Sequence, residues 1–157
     1  MSDRKRVARG ALLLAAFLVA TAGHTTAAAA PYAAEFVAQS LYPTLEQGDT
    51  TELFFEFRNT GDQIWYRDGA IPVRLGTANP RERRSPFYNP SDWISGERPT
   101  GLDQASVAPG AVGTFTFDAL APAQTGMFKE YYTPLAEDHA WMLPEDFVWL
   151  EQTVIPA

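Results

Sequence analysis

From Thr51 onward, apolar residues alternate with polar ones in short runs separated by turn signals. In Thr51-Glu52-Leu53-Phe54-Phe55-Glu56-Phe57-Arg58, Leu53, Phe55 and Phe57 share one face. Glu52, Glu56 and Arg58 take the other, with Phe54 the exception. Side chains alternate across a pleat, so this period of two means a half-buried strand. Asn59-Thr60-Gly61-Asp62 supplies a turn, with Gly61 free to take positive φ. Ile64 to Arg67 and Ile71 to Leu75 are two further strands, split at Asp68-Gly69. Pro72 has no N–H, which places its segment at an edge or a strand start. Val112 to Phe117 puts Phe115 and Phe117 on one face, and Met127 to Leu135 follows a connection marked by Ala121-Pro122 and Gly126. Phe147 to Ile155 is apolar on both faces, as a central or covered strand is, and Ala34 to Ser40 completes about seven. The pattern predicts an all-β chain, an antiparallel Ig-like or fibronectin-like β-sandwich. Its expected core is Leu53, Phe55, Phe57, Trp65, Phe115, Phe117, Phe128 and Trp149.

One stretch breaks the rhythm. Residues 76–106 hold Pro80, Pro86, Pro90, Pro99, Gly76, Gly96 and Gly101, without sustained alternation. A loop of that length inside a compact domain is either functional or disordered, and Phe87, Tyr88, Trp93 and Ile94 argue for order. Arg81, Arg83, Arg84 and Arg98 are interleaved with those rings. Arginine beside aromatics on a loop is the composition of a recognition surface, which makes Arg81, Arg84, Phe87, Tyr88, Trp93 and Arg98 the candidate ligand-binding set. A competing reading pairs these arginines with the domain's own carboxylates and uses the rings to cap one end of the sandwich.

The N-terminus has a different character. Arg4, Lys5, Arg6 and Arg9 precede an apolar run from Ala11 to Gly23, followed by small residues from Thr25 to Ala30. That order is the n-, h- and c-region of a secretory signal peptide, and the run is too short for a spanning helix. Residues 1–30 are therefore expected to be a signal peptide, cut among Ala27–Ala30 or, alternatively, after Ala22. No cysteine follows to carry a lipid, and no arginine pair marks twin-arginine export. The mature domain, residues 31–157, would hold 8 basic and 18 acidic residues, a net charge of −10. That sign repels phosphate backbones, so nucleic acid is excluded as a partner.

Three groups of residues resemble a known family. Asn59-Thr60-Gly61 precedes Trp65. Pro109-Gly110 is followed by Phe115, Phe117, Ala121-Pro122, Gly126 and Phe128. Phe147-Val148-Trp149 leads into the last strand. Over roughly residues 45–155 the chain resembles the Ig-like four-tryptophan (FW) domain of the neighbour-of-breast-cancer-gene autophagy receptors, in its secreted bacterial branch. Leu75-Gly76-Thr77, Arg84-Ser85, Phe87, Trp93 and Arg98 resemble that branch, whereas Leu75 and Tyr132 stand near positions of two family tryptophans. The resemblance implies a protein-binding module without catalytic activity. Autophagy partners do not carry over to an exported protein.

Catalytic chemistry is poorly supplied. The whole chain has no cysteine and two histidines, of which only His139 lies in the mature part. No glycine-framed nucleophile accompanies His139. Glu137-Asp138 and Glu145-Asp146 are adjacent pairs, and neighbours on a strand point to opposite faces, so they are poorly placed to share a hydrolytic site. No calcium-ligand spacing appears, and no cofactor or metal is expected. The sequence thus predicts an exported, non-catalytic binding module. Its ligand would be a protein, a peptide or a cell-envelope glycan, met without a membrane span once the signal is removed. A structural or accessory subunit and a hydrolase with an unrecognised carboxylate site are the alternatives.

Overall fold

The structure is a computed structural model that describes residues 27–157. The signal-peptide reading falls on residues 1–26, outside the described residues, and on the short exposed stretch 27–30. Eleven strands are present among the described residues, and no helix. In chain order they are β1 Ala34–Gln39, β2 Thr44–Glu46, β3 Thr50–Asn59, β4 Trp65–Tyr66, β5 Val73–Ala78 and β6 Thr100–Gly101. They continue with β7 Ser106–Val107, β8 Val112–Leu120, β9 Gly126–Ala136, β10 Ala140–Trp141 and β11 Trp149–Ile155. All seven expected strands are among them. The additional four, β2, β6, β7 and β10, are two or three residues long, too short to show a period.

Two sheets face each other. One runs β1-β3-β8. The other runs β2-β11-β9-β5-β6, with β10 also paired to β9. Pairing is antiparallel except for β2 against β11, and β4 and β7 form a separate ribbon. The alternation of β3 is realised as read, since Leu53, Phe55, Phe57 and Asn59 are buried at every second position. β8 repeats the pattern with Gly113, Phe115, Phe117 and Ala119. Phe55 and Phe117 meet Tyr132 of the opposite sheet, with ring centroids 5.3 and 5.6 Å apart, and this aromatic layer joins the sheets. Trp65 is fully buried on β4.

The turn after β3 is held by Asn59. Its Oδ1 accepts from Gly61 N at 3.0 Å, and its Nδ2 donates to the carbonyls of Gln63 and Val107. Gly61 also backs onto the Pro31 carbonyl so closely that any Cβ would collide with it. Asn59 and Gly61 of the Asn-Thr-Gly motif are therefore a buried structural lock tying the start of the domain to β3.

Two residues expected in the core lie elsewhere. In β11 the inward positions are Leu150, Gln152 and Val154, continuing from Val148, so the period of two turns Trp149 outward. There it lies beside Tyr131, under the Lys129 ammonium at 4.0 Å. Phe128 has inward parity but sits at the core's margin, half-buried and edge-on to Phe87 at 5.3 Å.

Candidate functional site

The 76–106 segment is not an independent loop. Residues 76–78 continue β5, and β6 and β7 occupy its far end. The residues between them sheathe the outer edge of β8, which no strand covers among the described residues. Leu120 N donates to the Phe87 carbonyl, and Asp118 N to Asp92 Oδ2 at 2.7 Å. Asp103 Oδ1 accepts from Thr116 N, and Gln104 Oε1 accepts from Thr114 N, both at 3.0 Å. Side-chain oxygens thus stand in for the carbonyls of a missing strand. An exposed edge invites pairing with another chain, and the segment closes it.

This arrangement removes several candidates from any recognition surface. Phe87 is fully buried, and Trp93 is 5% exposed, edge-on to Phe117 at 5.5 Å with its Nε1 donating to the Asp118 carbonyl. Neither ring can offer a face to a ligand, because each is already spent on the core. Arg98 is buried and bonded to Glu82 and Glu137, with N···O distances of 2.8 Å to each. Burial works against its charge, but the bonds to the two carboxylates outweigh it, and its pKa lies above the ordinary value. Arg83, not among the six candidates, pairs at 2.8 Å with the buried Glu130, which also accepts from Ser85 Oγ. For Arg98 and Arg83 the self-pairing reading is the one realised.

The six candidates do not converge. Arg81 and Arg98 lie about Trp141, 5.1 and 5.2 Å from its ring centre, in a polar cleft of about 320 Å³. Arg84 stacks on Tyr88 at 4.3 Å, and Tyr88 is edge-on to Trp93. Among the charges that line the cleft around Trp141, Arg98 is already paired with Glu82 and Glu137, and Glu137 also with the nearby Arg74. His139 is exposed there, with Nδ1 3.0 Å from the Glu137 carbonyl. Among the described residues no three His, Asp or Glu converge as a metal site.

A different place has the character of an open site. An apolar groove of about 440 Å³ lies where the edge strand β1 meets the start of β11, lined by Phe36, Gln39, Tyr42, Phe147, Val148 and Trp149. That volume falls within the roughly 300–1,000 Å³ usual for ligand sites. Its rings are accessible: Tyr42 is 51% and Phe147 55% exposed, and Phe36 is 36% exposed with an edge-on contact to Phe57 beneath. Val37 in β1 and Leu41 just beyond its end are exposed as well. Gln39 Nε2 donates to the Trp149 carbonyl at 2.9 Å and fixes the two walls relative to each other. Among the described residues β1 is the outermost strand of its sheet, and one side of its backbone has no strand partner there. A bulge between Phe36 and Ala38 twists this edge.

Of these lining residues the sequence assigns a role of its own only to Trp149, as core; Phe147 and Val148 enter only as part of the last strand and of the family resemblance. The two walls are 110 residues apart in the chain. A sequence signal did exist in the aromatics flanked by turn or charged residues, Tyr42 before Pro43 and Phe147 after Glu145-Asp146.

No family model matches the chain, and no curated protein does. Among solved structures, the chain is similar to the ASH/PapD-like domain of human CEP192 (PapD-like domain 7). The two are 15% identical over 93% of this chain and 99% of that one, with a TM-score of 0.40. That likeness bears on neither ligand nor mechanism.

Proposed function

We propose that this chain is a non-catalytic binding module that holds an extended peptide segment of a partner protein in the groove between β1 and β11. The observation that carries this is the exposed aromatic lining of Phe36, Tyr42, Phe147 and Trp149 beside an unpartnered strand edge. An extended segment laid along β1 gains backbone hydrogen bonds from the edge and buries alternate side chains against the rings. The bulge at Val37 confines regular pairing to part of the strand. Affinity then falls chiefly on the rings, the side chains that dominate binding energy at interfaces. The resemblance to FW domains, which bind proteins, supports the same reading, and the basic and apolar N-terminus separately supports export of the domain.

Selection of peptides from a random display library on the purified chain tests it. Peptides so obtained should lose binding to the Phe147→Ala and Trp149→Ala variants and keep it with Arg84→Ala. The reverse pattern returns recognition to the 79–99 segment and refutes the groove. Turnover of a glycoside or ester by the purified chain, abolished by a single Glu or Asp substitution, overturns the non-catalytic assignment.

A further inference from the structure

Resting on that groove, we infer that the segment it holds is cationic: an extended peptide in which Lys or Arg alternate with apolar residues. The lining contains no charged side chain, but carboxylates surround it. Glu145 and Asp146 directly precede Phe147 and are exposed, and Glu151 lies two residues along the same face from Trp149. Among the described residues none of these three makes an ion pair or a side-chain hydrogen bond, unlike Glu82, Glu130 and Glu137. Lys129, opposite Glu151 in the β9–β11 register, is the basic residue beside Trp149 among the described residues, and it shows what the surface accepts. Its ammonium sits 4.0 Å from the centre of the Trp149 ring and 5.4 Å from that of Tyr131. A ring face attracts a cation through its quadrupole, and the attraction grows as the site excludes water. The groove adds Phe36, Tyr42 and Phe147 as further rings, with negative charge at its rim.

Charge also selects among occupants. A second copy of this chain would bring a net charge of −7 over the full sequence, or −10 without residues 1–30, against the same acidic rim. A basic segment is steered toward that field rather than away from it. The alternation follows from the strand geometry, because an extended segment presents every second side chain to the rings and the others to the rim.

Three synthetic peptides with identical apolar positions and lysine, serine or glutamate between them form the test, measured by calorimetry at low and high ionic strength. The lysine peptide should bind about tenfold more tightly than the serine peptide at low ionic strength, a sum over several individually weak exposed pairs, and salt should erase most of the difference. In the Glu145→Gln/Asp146→Asn/Glu151→Gln variant the ratio should fall to about twofold or less. These side chains make no hydrogen bond, so the variant keeps the fold. Equal binding of the lysine and serine peptides, still lost in Trp149→Ala, overturns the charge preference and leaves the groove in place. Lysine-peptide binding that survives Trp149→Ala and Phe147→Ala removes the groove itself. A neutral oligosaccharide that displaces the lysine peptide and binds more tightly overturns the choice of a peptide.

Discussion

Replacing Trp93 by alanine distinguishes a structural sheath from a recognition loop. The indole is 5% exposed, lies edge-on to Phe117 and Tyr88, and donates to the Asp118 carbonyl. Burying a ring of this kind removes roughly 200 Å² from water, about 5 kcal/mol at 25 cal/mol per Å². A compact unfolded chain already hides part of that surface, which lowers the figure by about a quarter. The void left between Phe117 and Tyr88 adds back some of the difference. The lost hydrogen bond adds little, because Asp118 is half-exposed and water can replace the donor. The net loss should be about 4 kcal/mol, within the range of roughly 3–5 kcal/mol known for buried tryptophan-to-alanine changes. At a urea m-value of about 2 kcal/mol per molar, that moves the midpoint down by about 2 M, read by circular dichroism. Trp93→Phe should lose less than half as much. Arg84→Ala, which removes one exposed guanidinium from Tyr88, should cost about 0.5–1 kcal/mol. A Trp93→Ala midpoint within about 0.5 M of the wild type would refute the reasoning and make the 79–99 segment a detachable loop after all.

Other consequences follow from single contacts. A Cβ on Gly76 would meet the Trp141 ring at 2.8 Å, so Gly76→Ala should destabilise by about 1–3 kcal/mol; adding Trp141→Ala should lessen that cost in a double-mutant cycle of urea midpoints. Arg83→Met strands the buried Glu130 carboxylate and should cost about 3–5 kcal/mol, while Arg83→Met with Glu130→Met should recover most of it by the same measurement. The buried Tyr132 hydroxyl has no hydrogen-bond partner among the described residues, and burial, reinforced by the Glu130 charge, raises its pKa above the ordinary 10.0. A group whose pKa is raised by folding stabilises fully below the unfolded value and loses that contribution as pH rises above it. Wild-type stability should therefore fall above about pH 10 more steeply than that of Tyr132→Phe, which at neutral pH should be as stable or more so. Asp92→Ala with Asp103→Ala uncovers the β8 edge and should produce concentration-dependent self-association in sedimentation velocity.

What the sequence disclosed was local and periodic. Leu53, Phe55, Phe57, Phe115 and Phe117 could be placed because their strands bury one face only, so the alternation states which side is in. In β11 large apolar residues fall on both parities, and size alone favours Trp149 over Leu150 as the inward residue. The inward set is fixed by pairing Leu150 with Glu130 and Gln152 with Phe128, which no reading of β11 alone contains. Gln152 is fully buried with neither amide atom bonded, contrary to any polarity rule. The second half of β9, from Tyr132 to Ala136, is buried on both faces, because Trp141 lies over Gly76 on the neighbouring strand β5. The 76–106 segment looked like a recognition loop because arginine and aromatic residues serve binding surfaces and sheaths equally well. The difference lies in partners far along the chain, Glu130 and Glu137 for the arginines and the β8 edge for Asp92, Asp103 and Gln104. The groove was illegible for the same reason, since β1 and β11 meet only in three dimensions.

The most direct measurement is the map of backbone amide shifts when a library-selected peptide is titrated into the labelled protein. Binding between β1 and β11 predicts the largest changes at 36–42 and 147–150, on both walls at once, with 79–99 nearly still. Changes centred on 79–99, with Phe36, Tyr42 and Trp149 unmoved, would contradict it.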